Sequence, residues 1–189
     1  CKNLKGVSTG KGNTEAATEN GILFNGDKTV LIRFPPQREG HYTIPDSVTT
    51  IAGSAFADCT KLTSVTLPDS VTAMSRQAFR RCCSLKSITF PKGIISIGSY
   101  SFPGCALLTS VTIPASVTSI GNAAFRDCEN LTSIVVDEGN KTYSSVDGVL
   151  FDKNKTKVLQ CPTRKSGHFT IPDSVTTITM WSFSGCGHL

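Results

Sequence analysis

Residues 44–66 read IPDSVTTIAGSAFADCTKLTSVT, and the chain repeats this 23-residue stretch. Further copies begin at Leu67 (LPDSVTAMSRQAFRRCCSLKSIT), Phe90 (FPKGIISIGSYSFPGCALLTSVT) and Ile113 (IPASVTSIGNAAFRDCENLTSIV). A fifth copy begins at Ile171, and the sequence stops inside it. A fixed period of roughly 20–50 residues indicates a solenoid, in which each repeat contacts its neighbours along one axis.

The apolar residues occupy the same positions in each copy. A unit of this size cannot bury them alone, so the copies are expected to stack and to join each position into a ladder that runs through the core. In the first copy these apolar positions are Ile44, Val48, Ile51, Phe56, Cys59, Leu62 and Val65.

One segment of the repeat has the pattern of a strand. Leu62, Val65 and Leu67 have the spacing of the strand of a leucine-rich repeat, and Ser64 and Thr66 alternate with them, so that one face points to water. Stacking predicts a parallel sheet with rungs ~4.8 Å apart. The proline that follows each strand lacks an N–H donor and should end it. We expect strands centred on Val65, Ile88, Val111 and Ile134, and an aromatic spine on the opposite wall formed by Phe56, Phe79, Phe102, Phe125 and Phe183.

The pattern IPxSVTxIxxxAFxxCxxLTSVT resembles the BspA-like leucine-rich repeat, and the resemblance covers nearly the whole chain. It implies a right-handed, curved leucine-rich-repeat solenoid, mostly β, with one short strand per 23-residue repeat and short irregular or 3-10 segments. Proteins that resemble this family are microbial surface proteins implicated in adhesion to host matrix or other cells. An extracellular or cell-surface location is the corresponding expectation.

Two longer units interrupt the 23-residue period. Residues 21–24 (GILF) match residues 148–151 (GVLF), and the same offset relates residues 44–45 to 171–172. Each long unit has 12 added residues that predict a β-hairpin, with runs at 22–24 and 30–32 in the first copy and at 149–151 and 158–159 in the second. His41 and His168 occupy one repeat position and are interpreted as structural polar residues of the hairpin unit.

These units define one leucine-rich-repeat domain over residues 1–189, interpreted as a fragment of a longer array because it begins and ends within a repeat. The expected boundaries are 1–8 (partial), 9–43 (long), 44–66, 67–89, 90–112 and 113–135 (short), 136–170 (long) and 171–189 (partial).

Composition narrows the function classes. Charged residues make up only 17%, and serine and threonine dominate the polar set, which is typical of an exported protein more than of a cytosolic enzyme. The formal net charge of +5 is a mild excess. There is no run of five like charges, so no nucleic-acid partner is expected. No apolar stretch in this sequence predicts membrane insertion.

Eight cysteines raise the question of disulfides. Cys59, Cys82, Cys105 and Cys128 recur once per short repeat in one column, which Cys1 and Cys186 extend. The column lies between apolar columns, so we interpret its members as buried thiols that pack as small apolar residues. Bridges between neighbouring rungs are feasible by distance, but parallel side chains disfavour the required torsion. Cys83 lies off the column and is expected to be exposed.

No motif indicates catalysis or a cofactor. The sequence has no G-x-S-x-G, H-E-x-x-H or glycine-rich phosphate loop, and no C-x-x-C that would predict zinc. Residues 25–27 and 152–154 resemble fragments of calcium loops but lack the spaced carboxylates of a full loop. We therefore expect a protein that is not an enzyme and has no metal or cofactor. Three N-glycosylation sequons begin at Asn130, Asn140 and Asn154.

Two surfaces are candidates for binding. The open face of the sheet is predicted to present Ser64, Thr66, Lys86, Ser87, Thr89, Ser110, Thr112, Ser133 and Val135. The second copy also carries Arg76, Arg80 and Arg81, interpreted either as a solvated edge or as a basic patch for a sulfated glycan or an acidic protein.

The sequence supports three hypotheses of function. The first is a binding protein that adheres to a protein or glycan on host or neighbouring cells. The second is a structural spacer without a ligand of its own. The third is ice binding by a flat hydroxyl array, which Val135, Lys86 and the long units would interrupt.

Overall fold

The computed structural model describes residues 3–10 and 12–189, so Cys1 lies outside the described residues. It is a β-solenoid of about six turns, and the described part of the chain contains no helix. The segments between strands are turns and irregular backbone rather than 3-10 helix. The strands are β1 (Ala16–Glu19), β2 (Ile22–Asn25), β3 (Val30–Arg33), β4 (Gly40–Thr43), β5 (Thr50–Ile51), β6 (Leu62–Thr66), β7 (Ala73–Met74), β8 (Ser87–Thr89), β9 (Ser96–Ile97), β10 (Ser110–Ile113), β11 (Ser119–Ile120), β12 (Ser133–Val136), β13 (Tyr143–Val146), β14 (Val149–Asp152), β15 (Lys157–Gln160) and β16 (Thr177–Ile178).

The longer strands stack in parallel with a register of one repeat per rung. Val65 lies opposite Ile88, and Val111 lies opposite Ile134, as the sequence predicts. The ladder is divided, because β4, β6 and β8 form one sheet and β10 and β12 form another. Strands β8 and β10 are neighbours without belonging to one hydrogen-bonded sheet, a division that the repeat pattern does not predict.

A second parallel ladder runs along another side of the solenoid. Each short repeat contributes one strand of two residues, so that β5, β7, β9 and β11 pair in order. The sequence predicts one strand per repeat, and these shorter strands are an addition to it. Their inward residues, such as Ile51 and Met74, are fully buried.

Both long repeats contain the predicted hairpin, and each has a third strand that the sequence does not predict. Strands β2 and β3 pair antiparallel, β1 pairs antiparallel with β2, and β13, β14 and β15 repeat this arrangement. The last strand of each meander pairs in parallel with a two-residue strand of the following repeat. Strand β3 pairs with β5 and so joins the second ladder, whereas β15 pairs with β16 in a separate four-stranded sheet. The turn residue Asp152 accepts hydrogen bonds from the Lys157 N–H (2.7 Å) and the Thr156 hydroxyl (2.6 Å). Hydrogen bonding within the turn therefore explains the acidic residue at this position, which by sequence resembles part of a calcium loop.

The P-x-S-V motif makes a turn that also ties one rung to the previous one. The Val71 N–H donates to the Pro68 carbonyl over 3.1 Å, while the Ser70 hydroxyl donates to the Val48 carbonyl of the preceding repeat over 2.7 Å. Ser116 makes the same bond to Ile94 over 2.6 Å. The recurring serine is therefore explained by hydrogen bonding between rungs.

The phenylalanine spine forms as predicted over four repeats. Ring centroids are 4.6 Å apart for Phe56 and Phe79, 5.3 Å for Phe79 and Phe102, and 5.5 Å for Phe102 and Phe125, with interplanar angles of 12° or less. Phe34 extends the stack at 5.0 Å from Phe56. These rings belong to the main core, which runs from the first hairpin to the second.

Phe183 does not continue this stack, which corrects the predicted spine. It packs in a second, smaller core with Val149, Phe151, Val158 and Cys161. The second long repeat lies between Phe125 and Phe183, and the position that Phe34 holds in the first long repeat is occupied by Cys161 in the second. Because Cys161 has no aromatic ring, the stack is not continued from Phe125 to Phe183.

Candidate functional site

Strands β4, β6, β8, β10 and β12 together form the long ladder. Its solvent side, which we name the polar face, carries rows of hydroxyl groups. Ser64 pairs with Ser87, and Thr66 pairs with Thr89 one position further along the same face. Buried Val65 and its equivalents alternate with them and face the core. On the second sheet the rows continue with pairs of Ser110 with Ser133 and of Thr112 with Val135.

The residues of this face differ in exposure. Thr66, Ser87, Thr89, Ser110, Thr112 and Val135 are exposed, whereas Ser64 and Ser133 are half-buried. Val135 is 47% exposed and interrupts the hydroxyl row with an apolar side chain. Lys86 is exposed but precedes β8 by one residue, so it lies at the edge of the rows and not within them.

His41 extends this polar face, a role that the sequence reasoning missed. It lies in β4 opposite Ser64, and Thr43 lies opposite Thr66, so both belong to the long ladder and not to the hairpin. Hydrogen bonds join the His41 ring to Ser64 Oγ (2.8 Å), Thr43 Oγ1 (3.1 Å) and Thr66 Oγ1 (3.3 Å). The offset of one short repeat between His41 and Ser64 is the signal that could have revealed this position.

An open depression adjoins His41 at this end of the sheet. Tyr42 forms part of its wall, and burial, helped by the negative charge of Glu19, raises the pKa of Tyr42 to about 12, which keeps its hydroxyl neutral. The side chains that line the depression combine basic, acidic and aromatic groups, namely Asn20, Phe34, Gln37, Arg38, Glu39, His41, Tyr42 and Lys61.

The structure places the predicted basic patch on a different surface, around the turns of repeats 67–89, 90–112 and 113–135. Arg80 and Arg81 line an open groove with Tyr100 and Arg126, and the Arg76 guanidinium lies 5.6 Å from the centroid of the Tyr100 ring. We name this the arginine groove, and its lining residues are Gln77, Arg80, Arg81, Tyr100, Pro103, Gly104, Arg126 and Asp127.

Two carboxylates partly neutralise the arginine groove. Asp58 pairs with Arg80 (3.1 Å) and Arg81 (3.6 Å), and Asp127 pairs with Arg126 (3.2 Å). With Arg76 included, four guanidinium groups face two carboxylates, so a positive charge remains. Ionic interactions between exposed groups are screened by salt, so this charge acts on a partner mainly at low ionic strength.

Trp181 also contacts this basic surface. The Arg126 guanidinium lies 4.2 Å from the centroid of the Trp181 ring, a cation–π contact, and the indole is 43% exposed. Trp181 therefore packs against an arginine and keeps an exposed face. Tyr100 and Arg126 are absent from the sequence interpretation because they belong to other repeats than Arg80 and Arg81.

The column thiols of the four short repeats are buried as predicted, whereas Cys186 is half-buried and Cys1 lies outside the described residues. Cys59, Cys82, Cys105 and Cys128 are fully buried, and the last three donate to phenylalanine carbonyls of the preceding repeat over 3.1–3.2 Å. Burial raises the pKa of Cys82 and Cys128 well above the ordinary value, so these thiols stay protonated. Cys83 is exposed, as expected.

The three sequon asparagines differ sharply in access. Asn140 is fully buried, and its amide donates to the carbonyls of Pro114 (2.8 Å) and Val117 (3.0 Å). The Asn130 amide donates to the Ala106 carbonyl over 2.9 Å. Asn154 is exposed on the second hairpin. In the folded chain, Asn154 is thus the sequon residue best placed to carry a glycan.

Within the described residues, no group of three or more His, Cys, Asp or Glu side chains is arranged to hold a metal ion. Among the same residues, no helix has the length and apolar character needed to cross a membrane. The geometry brings together hydroxyl, imidazole and guanidinium groups on extended, open surfaces, which suits non-covalent recognition of a large partner.

Known structures share this architecture. A leucine-rich repeat protein from Eubacterium ventriosum is 36% identical, with a TM-score of 0.71, over 77% of this chain and 38% of that protein. A leucine-rich cell-surface protein from Faecalibacterium prausnitzii is 22% identical (TM-score 0.58) over 92% of this chain and 69% of that protein. The pneumococcal vaccine antigen PcpA is 20% identical (TM-score 0.58) over 90% of this chain and 62% of that protein. The last two show likeness of fold alone, and the chain spans well under two thirds of the Eubacterium ventriosum protein.

No curated protein matches the chain by sequence. The model of the BspA type leucine-rich repeat region matches residues 40–156 and 160–189 in six copies. This match covers most of the chain and includes the strands that carry the polar face. The chain therefore belongs to the BspA-type leucine-rich repeat family.

Proposed function

We propose that this chain is a non-enzymatic binding protein of the cell surface or the extracellular space, which adheres to a protein or glycan on host or neighbouring cells. The observation that carries the proposal is the polar face, where β4, β6 and β8 lie in one register and β10 and β12 in another, over a common buried core. The family and the Faecalibacterium prausnitzii cell-surface protein support the location.

The chemistry of the face favours an extended partner. Each hydroxyl can donate one hydrogen bond and accept others, and the His41 ring adds a further polar group at one end. A single such bond contributes only about 0.5–1.5 kcal/mol, so useful affinity requires many of them along the ladder. A polypeptide or glycan that lies across several rungs meets this requirement better than one small substrate does.

The arginine groove adds an electrostatic contribution in this proposal. Arg76, Arg80 and Arg81 present guanidinium donors beside the aromatic ring of Tyr100, an arrangement suited to sulfate or carboxylate groups of a partner. Asp58 pairs with Arg80 and Arg81, which limits the freedom of these two side chains before a partner binds.

Replacing Arg80 and Arg81 with serine is expected to weaken adhesion by roughly threefold at low salt and by less at high salt, since exposed charge pairs each contribute under ~1 kcal/mol and are screened. The measurement is binding of purified protein to cultured epithelial cells and to a basement-membrane matrix coating at two ionic strengths. A control with equal loss of charge changes exposed Lys155 and Arg164 to serine. Binding that ignores both the salt and the two arginine changes would remove the groove from the proposal.

A structural spacer is the alternative. The spacer hypothesis predicts no binding to cells or matrix even at high protein concentration. Undetectable binding in the same assay would therefore favour the spacer. Ice binding would appear as thermal hysteresis, but the division between β8 and β10 and the apolar Val135 interrupt the array that it requires.

A further inference from the structure

The second long repeat has a thiol where the first has a ring. Cys161 and Phe34 hold the same place in the backbone, since the Phe34 N–H donates to the Ala55 carbonyl (2.8 Å) and the Cys161 N–H donates to the Ser182 carbonyl (2.6 Å). Donor and acceptor are both shifted by the offset that separates the two long units. Phe34 stacks on Phe56, whereas Cys161 places a fully buried sulfur beside the last repeat.

A second thiol lies next to this sulfur. Cys186 Sγ is 3.7 Å from the Cys161 carbonyl oxygen and 3.5 Å from that of Pro162, and Cys161 Sγ is 3.7 Å from the same Pro162 oxygen. Both sulfurs thus lie within 3.7 Å of the Pro162 carbonyl oxygen. Cys161 and Cys186 therefore form a pair around one carbonyl group.

This pair differs in geometry from the column thiols. Cys59, Cys82, Cys105 and Cys128 occupy equivalent positions of successive repeats, so their side chains run parallel along the stack. Cys161 comes from the phenylalanine position of its repeat, and Cys186 comes from the cysteine position of the next. Because the two side chains start from different positions of the repeat, they can approach at an angle, which a disulfide torsion near 90° requires.

The two sulfurs also differ in reactivity. Cys186 is half-buried, and the hydrogen bond from Cys161 lowers its pKa, which favours the thiolate. The hydrogen bond to Cys186, together with burial, raises the pKa of Cys161. Since the thiolate is the nucleophile in disulfide exchange, Cys186 is suited to attack and Cys161 to resolve.

We propose that Cys161 and Cys186 are a dithiol that a small-molecule disulfide oxidises to a bond between the second long repeat and the last repeat. The Cys186 thiolate attacks one sulfur of the oxidant, forms a mixed disulfide and releases one thiolate. Cys161 then loses its proton, attacks the Cys186 sulfur and releases the second thiolate. In total, two protein thiols become one disulfide and one oxidant disulfide becomes two thiols.

The bond would link the second long repeat covalently to residues 171–189, the last rung of the given sequence. In residues 171–189, Ser182 is the one buried residue, and Ile178 and Met180 are 57% and 78% exposed. A covalent link restricts the unfolded forms of this segment and so favours its docked form. Oxidation is therefore expected to slow amide hydrogen exchange in residues 171–189, while exchange in the four short repeats (residues 44–135) stays unchanged.

The test is peptide mapping without reduction after the reduced protein is incubated with oxidised glutathione. The proposal predicts a peptide pair joined through Cys161 and Cys186, while Cys105 and Cys128 in the same sample remain unbridged. In Cys161→Ser, glutathione should stay attached to Cys186 because no resolving thiol is present. Unbridged Cys161 and Cys186 in the oxidised wild-type protein, or Cys186 bridged to Cys83, would overturn the proposal without bearing on the polar face.

Discussion

Phe79→Ala is expected to lower the free energy of unfolding by about 3–5 kcal/mol. The Phe79 ring is fully buried and stacks on Phe56 at 4.6 Å and on Phe102 at 5.3 Å. Its removal leaves a cavity between two rings that are themselves held in register by the strands on either side, so the surrounding residues cannot collapse into the space.

Thr89→Ala is the control for this change. Thr89 is exposed on the polar face of the neighbouring strand, and its truncation should change stability by under about 0.5 kcal/mol. Chemical denaturation of both variants, with the wild-type protein alongside, measures the difference. Equal losses would contradict the assignment of buried and open faces.

Asn140→Ala is expected to lower the free energy of unfolding by about 2–4 kcal/mol, because the buried Asn140 amide satisfies four backbone groups. Its nitrogen donates to the carbonyls of Pro114 and Val117, and its oxygen accepts from the N–H groups of Thr142 and Tyr143 at 2.8 Å each. These bonds attach the second hairpin to the last short repeat. Truncation leaves the backbone groups in a site too enclosed for easy hydration.

The other two sequon asparagines provide matched controls. Asn130 makes one side-chain hydrogen bond, to Ala106, so Asn130→Ala should cost about 1 kcal/mol. Asn154 is exposed, and Asn154→Ala should change stability by less than about 0.5 kcal/mol. Denaturation curves that rank the three alanine variants in any other order would contradict the described environments.

Much of the fold could be predicted because the same apolar pattern recurs in several copies, so that a chance match in one copy does not decide the assignment. A single apolar pair such as Val65 and Leu67 could belong to many structures, but five copies at fixed positions define the rungs, the spine and the hairpin insertions. The strands of the long ladder centre where the alternation of buried and exposed residues places them.

Short strands and irregular turns could not be predicted from the repeat pattern. A strand of two residues, such as β7, is too short to show an alternation, and the pairing that creates it comes from the neighbouring rungs. The turns contain non-glycine residues with positive φ, among them Gln77 (60°), Tyr100 (54°) and Ala123 (51°). Three such different side chains in one column carry no common sequence signal for a left-handed conformation.

The candidate site was predictable where it follows the alternation and not where it depends on neighbours. The hydroxyl rows follow from strand periodicity, whereas His41 falls within the long unit by its place in the chain, although it precedes Ser64 by the length of one short repeat. The arginine groove joins Arg80 to Arg126 across an intervening repeat, and only the stacking of the turns brings them together.

The central claim is that the polar face binds a macromolecular partner, and a matched pair of double variants tests it most directly. Thr89→Glu with Thr112→Glu adds two charges to exposed threonines of the polar face, and Thr72→Glu with Thr118→Glu adds the same charges to exposed threonines beside the short ladder. Adhesion to cultured epithelial cells and to a basement-membrane matrix coating is measured for both, after denaturation has shown equal stability. We expect at least a tenfold loss for the first variant and little change for the second, and equal adhesion of both at the wild-type level would contradict the claim.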